Sequence, residues 1–153
     1  MTISVIFEVG ALSCALPRKE VKEILPLPSL VLAPGMPATL AGFVQLERQY
    51  LPVVDLRFLF HATVQALTID QHLLRLANHS WLCLVDRVLE LAPLPVSEPL
   101  KPEHSFNDWV MGLSYYQGHE IALLDINQVL LKEEQLRMTS LQEMLQARLQ
   151  ALE

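Results

Sequence analysis

The sequence predicts a mainly β protein: two small barrel-like modules with short helices, followed by a C-terminal helix. Three observations carry that prediction. AGFVQLERQYLPVVDLRFLF, starting at Ala41, shares its pattern with MGLSYYQGHEIALLDINQVL, starting at Met111, so that Gly42 meets Gly112 and Asp55 meets Asp125 at an offset of 70 residues. Apolar residues fall in short runs separated by turn-forming residues, the signature of small β barrels. The tail, residues 132–153, lacks proline and glycine and is rich in good helix formers.

Each element follows from its residues. Ile3 to Val9 alternates loosely and is β-branched, Gly10-Ala11 suits a turn, and Leu12 to Leu16 returns, so a hairpin is expected. Pro17 opens a short helical turn leading to Val21-Lys22-Glu23-Ile24. Pro26, Pro28, Pro34 and Pro37 then impose loop or isolated extended chain. Gly42 to Val54 reads as two strands around a turn at Glu47-Arg48-Gln49, and Asp55 caps one turn of helix to Phe60.

The second half repeats this order. His72 to Leu76 and Trp81 to Val85 flank a turn at residues 77–80. Val88 and its followers echo Val21 at an offset of 67 residues, and residues 95–107 form a second proline-containing loop. Phe43 matches Leu113, Leu51 matches Ile121, Val54 matches Leu124, Leu56 matches Ile126 and Leu59 matches Val129. Apolar positions in register indicate a duplication, with modules at about residues 1–65 and 70–131. Each is too small to bury much surface alone, so the two should share a boundary. In the tail, Ser140-Leu141-Gln142-Glu143 fits a capping box. Met138, Leu141, Leu145, Leu149 and Leu152 share one face, for packing on the barrels or for self-association or a partner helix.

Bulk composition narrows the function. Hydrophobic residues make up 52% of the 153 and charged residues 18%, which favours burial and leaves apolar surface for contacts. A net charge of −6 without a basic run argues against nucleic acid. No basic start with an apolar core marks export, and the prolines make residues 24–37 a poor membrane span, so a cytoplasmic protein without membrane insertion is expected. Cys14 and Cys83 read as reduced, buried thiols.

The stretches PRKEVKEIL, GFVQLERQYLPVVDL and VMGLSYYQGHEIALLD resemble the CheW-like chemotaxis coupling proteins of bacterial chemosensory arrays. The resemblance runs from about Ile3 to Leu131, within a domain of residues 1–131, with the helix at 132–153 outside it. It implies two five-stranded, SH3-like β-barrel subdomains around a shared apolar interface. It also implies a non-enzymatic adaptor that bridges a methyl-accepting chemoreceptor, held in a groove between the barrels, to a CheA-type histidine kinase, paired at a barrel end. By that resemblance Val21, Glu23 and Ile24 match the V-x-E-I segment of the receptor groove, Val88 is their echo, Gly42 opens the conserved-type strand, and Pro52 and Asp55 match the P-V-x-D element. The family's Asn-Leu-Arg-Gly turn is here Gln45-Leu46-Glu47-Arg48, so charge is reversed at Glu47 and glycine is replaced by Arg48. A turn of different shape is expected, since arginine is strained where glycine supplies positive φ. Either Arg48 acts from one position along, or the system is divergent with its own partners. The second module keeps Gly118.

The chain shows little sign of chemistry. Asp55 and Asp125 recur, as an acid–base pair would, but a capping role in two copies accounts for them. His61, His72, His79, His104 and His119 lack metal-site spacing, and neither cysteine has a CxxC neighbour, so no metal or cofactor is expected. Gly10, Gly35, Gly42, Gly112 and Gly118 are isolated, which excludes a phosphate loop. Trp81 and Trp109 read as core or boundary residues, with an interface role as the alternative. A small-molecule sensor or enzyme with a ligand at the module boundary is the competing function.

Overall fold

Two sheets trade hairpins between the halves of the sequence. The computed structural model describes residues 1–62, 66–95, 98–99 and 109–152. In chain order it contains β1 (Thr2–Val9), β2 (Leu12–Pro17), a 3-10 turn (Arg18–Glu20), β3 (Val21–Pro26), β4 (Leu40–Leu46), β5 (Gln49–Asp55) and α1 (Leu56–Leu59). There follow β6 (His72–Leu76), β7 (Leu82–Val85), β8 (Arg87–Leu94), β9 (Glu98–Pro99), β10 (Val110–Tyr116), β11 (His119–Leu124), a 3-10 turn (Ile126–Gln128) and α2 (Lys132–Ala151). One sheet has the order β3-β6-β7-β5-β4 and the other β8-β1-β2-β11-β10-β9.

The two orders are equivalent: β8 stands where β3 does, and the β1–β2 hairpin stands where β6–β7 does. The boundary expected near residues 65–70 therefore does not separate the sheets. β1 and β2 join the second-half strands, while β6 and β7 complete the sheet of β3, β4 and β5. Duplication explains this, because the copies carry interchangeable hairpins, and exchanging an equivalent element costs little. The five-stranded expectation holds for the first barrel, and the two-residue β9 adds a sixth strand to the second. Of the expected loop at residues 95–107, all but Pro95 and β9 lies outside the described residues.

The strands have two apolar faces, and the period-2 alternation of a strand sorts their side chains. Leu73, Leu82, Leu84, Leu51 and Val53 fill the first barrel. Ile6, Ala15, Ala92, Leu94 and Ile121 fill the second. The alternate residues of the same strands, among them Val5, Phe7, Cys14, Leu16, Phe43, Val54, Leu74, Cys83 and Leu124, form the shared cluster between the barrels. This is the common boundary the small modules require.

Helix α2 closes that cluster with Met138, Leu141 and Leu145, all buried. Each such burial is worth roughly 1.5–3 kcal/mol. The helical face thus packs on the protein's own barrels, although Leu149 is half-buried and Leu152 is 86% exposed. The helix begins eight residues before the expected capping box. The Glu134 side chain accepts from the Leu131 backbone N–H at 2.8 Å, so the cap forms there, and Ser140 lies within the helix.

Candidate partner-binding site

β3 and β8 each lie at the end of a sheet. Such strands offer backbone and side chains to partners. Both tolerate proline for that reason, Pro26 in β3 and Pro93 in β8. Val21 and Ile24 in β3 and Val88 in β8 are half-buried, and all three pack against the shared cluster. The structure thus brings these sequence-selected residues to one apolar body from two equivalent edges. The β8 side continues outward through Leu91, 51% exposed, and Ile3 of β1, 49% exposed. Each edge carries one bulge residue, Lys22 in β3 and Leu89 in β8.

Glu23 is exposed and points to a feature invisible in sequence order. Arg75 on β6 lies opposite Glu23 in the sheet. Its Nη1 sits 3.7 Å from Glu23 Oε1 and 3.5 Å from Glu47 Oε1. The two acidic residues selected from sequence therefore meet on one cation, whose side chain is 15% exposed. A screened triad of this kind contributes little stability but fixes side-chain directions at the barrel mouth.

The Glu47–Arg48 turn does not have a different shape. It is a two-residue hairpin loop with Leu46 paired to Gln49, and Glu47 and Arg48 have φ of +52° and +65°. The Gln117–Gly118 turn is the same, at +51° and +79°. Two positive φ values match the twist of the flanking strands, which is why the geometry survives the loss of glycine. The strain at Arg48 is offset from α2: Gln146 Nε2 donates to the Arg48 carbonyl at 3.1 Å, and its Oε1 accepts from the Tyr50 N–H at 3.2 Å.

The remaining selected residues are structural. Gly42 is buried rather than on a contact surface, because a Cβ there would sit 2.9 Å from Leu30 Cβ and 3.0 Å from the Val31 carbonyl. Val31 pairs with Phe43 beside it. Gly112 follows a bulge at Met111 in β10 as Gly42 follows one at Ala41 in β4, and Pro52 is buried opposite Phe43. Asp55 caps α1, its Oδ1 accepting from the Arg57 N–H at 3.0 Å, and Asp125 caps the Ile126–Gln128 turn through the Asn127 N–H at 3.1 Å.

Asp55 does more than cap. Arg57, 3% exposed, donates from Nε to Oδ1 and from Nη2 to Oδ2, each at 3.0 Å. These bonds hold the guanidinium pKa above its usual value against the opposing effect of burial, with Asp86 adding attraction.

Cys14 and Cys83 are free and buried. Burial pushes the Cys14 thiol up to about 12 and raises Cys83 as well, so both stay protonated and unreactive. Trp81 is buried in the shared cluster, and Trp109 stacks on Phe60 with centroids 4.2 Å apart. Among the described residues no group of three or more His, Cys, Asp or Glu is placed to hold a metal ion, and no helix is long and apolar enough to cross a membrane. A cavity of about 550 Å³ is lined by Arg57, Gln71 and Asp86 among others. Its polar groups bind one another: Asp86 accepts from the Gly10 N–H at 2.6 Å and from Gln71 at 3.2 Å, and Gln71 accepts from the Thr68 N–H at 2.9 Å.

Twin barrels with a common apolar core and two equivalent half-buried edges define a double-barrel β scaffold. A CheW-like domain family model matches residues 4–134, and the chain belongs to that family. The fold is similar to the crystal structure of the scaffolding protein TtCheW from Thermoanaerobacter tengcongensis, with a TM-score of 0.69 and 19% identity, covering 82% of this chain and 89% of that one. Comparison with curated proteins found no match.

Proposed function

We propose that this chain is a non-enzymatic cytoplasmic adaptor that couples a methyl-accepting chemoreceptor to a CheA-type histidine kinase. The family match across residues 4–134 carries the reading. The geometry supports it. Val21, Ile24 and Val88 offer apolar contact on either side of the shared cluster, while Glu23, Glu47 and Arg75 offer charged register at a barrel mouth. Activity then consists of holding two partners in fixed relation. The reversed charge at Glu47 is balanced within the chain by Arg75, which supports a divergent pairing at that mouth rather than a lost one.

The test is capture of partners from the native cytosol by the tagged chain, with identification of what binds. A chemoreceptor or a histidine kinase is expected, and recovery of neither overturns the proposal. Glu47→Arg combined with Arg48→Gly should then weaken binding of the recovered partner about tenfold, as expected for one charged hydrogen bond. Unchanged affinity in a titration removes the turn from the interface.

A further inference from the structure

The duplication allows the two barrel mouths to be compared position by position, and they differ in one respect. In the first barrel Glu23 lies opposite Arg75 across the β3–β6 pair. In the second barrel Glu90 lies opposite Ile6 across the β8–β1 pair, in the same register. The bulge residue beside the glutamate is Lys22 in one and Leu89 in the other. The hairpin tip supplies Glu47 in one and Gln117 in the other. Each mouth therefore keeps its edge-strand carboxylate, but only in the first does a guanidinium, that of Arg75, face it across the strand pair.

Space follows charge. The cavity at the first mouth, lined by Arg75 and Lys22, holds about 130 Å³. At the second mouth, lined by Ile6, Leu89, Ile121, Glu8, Glu90 and Tyr116 among others, it holds about 340 Å³. The floor is apolar and the rim is acidic. Glu8 is bound by Arg87 Nη2 at 3.0 Å. The Glu90 carboxylate raises the pKa of the Tyr116 hydroxyl, and Gln117 Nε2 donates to that hydroxyl oxygen at 3.4 Å. Among the described residues no cation lies within ion-pair distance of Glu90.

We infer that the second barrel mouth receives an arginine side chain from a partner protein, which takes the place that Arg75 fills in the first barrel. The apolar floor suits the arginine stem and Glu90 suits its planar head. The occupied first mouth is the internal precedent, since the equivalent carboxylate there already binds a guanidinium. This inference stands apart from the adaptor reading, because it rests on the comparison of the two mouths alone.

The probe is a capped Gly-Gly-Arg-Gly-Gly peptide, titrated into the ¹⁵N-labelled full chain. Backbone shifts are expected to concentrate at residues 89–90 and 116–119. The peptide with citrulline for arginine, neutral and equal in shape, should bind at least tenfold more weakly. Glu90→Gln should cost the arginine peptide at least tenfold, and Leu89→Arg, at a 44% exposed position, should fill the mouth and block binding. Shifts absent from this mouth, equal response to citrulline, or equal binding of the lysine peptide each overturn the inference. Dimerisation of the chain that Glu90→Gln abolishes would make the occupant a second copy and overturn assignment to a foreign protein. Circular dichroism confirms that each variant is folded.

Discussion

Asp55 and Asp125 form a matched pair in which one member should matter far more than the other. Both accept a backbone N–H two residues on, and losing such a cap costs about 1 kcal/mol. Asp55 also holds Arg57, which is 3% exposed, through two further bonds of 3.0 Å. Breaking a buried pair by removing one partner costs about 3–5 kcal/mol. The lower end applies, because Asp86 still attracts the guanidinium. Asp55→Ala should therefore lose about 4 kcal/mol and Asp125→Ala about 1 kcal/mol. For a chain of this size those losses lower Tm by roughly 8–16 °C and 2–4 °C. Urea unfolding followed by tryptophan fluorescence gives both values. The Asp55→Ala, Arg57→Leu double variant should recover much of the loss, since it removes both charges of the buried pair. Equal losses for the two aspartates, or a double variant no better than Asp55→Ala, would refute the reasoning.

Gly42→Ala should destabilise by about 2 kcal/mol, because φ is +153° and the new methyl meets Leu30 and the Val31 carbonyl; chemical denaturation measures it. Gln146→Leu should cost about 1–2 kcal/mol by releasing the Arg48 carbonyl and the Tyr50 N–H, and hydrogen exchange should speed up at Tyr50. The Cys14 thiol titrates near 9 when unfolded and at about 12 when folded, so its contribution is complete below pH 9 and lost as pH rises towards 12. Stability should fall across that window, less so in Cys14→Ala relative to its own neutral value, and a thiol reagent at pH 8 should label neither cysteine until the chain unfolds.

Local chemistry was legible in the sequence, and long-range chemistry was not. The hairpin around Gly10-Ala11, both aspartate caps and the apolar face of α2 are set by residues within a few positions of one another, so spacing reveals them. The hairpin exchange is different: Val21 pairs with Leu76 and Phe7 with Val88, and nothing near either residue specifies the partner. For the same reason Arg75 and Gln146 escaped notice. Arg57 had the closest signal, a cation two residues beyond an aspartate that also repeats as Asp125-x-Asn127. The capping box at Ser140 matched in composition, but Thr139 Oγ1 donates to the Gln135 carbonyl inside a helix that Glu134 had already started. Arg48 reads as a misfit only while Gln146 is out of view.

The exchange of hairpins also bears on how such a scaffold could work. An adaptor that acts by position needs its contact surfaces held at constant spacing, yet two small barrels joined by a linker would rock against each other. Here β3 is bonded to β6, which follows the first repeat in sequence, and β8 is bonded to β1, at the start of the chain. The alternate faces of those same strands fill a single cluster, and α2 seals it with Met138, Leu141 and Leu145. Moving one edge relative to the other would mean straining the short crossings from β2 to β3 and from β7 to β8 and opening a close-packed interior, which resists continuous deformation. Rigidity between Val21 and Val88 is therefore built from strand order, and the charged groups at the mouths remain free to differ between the two ends.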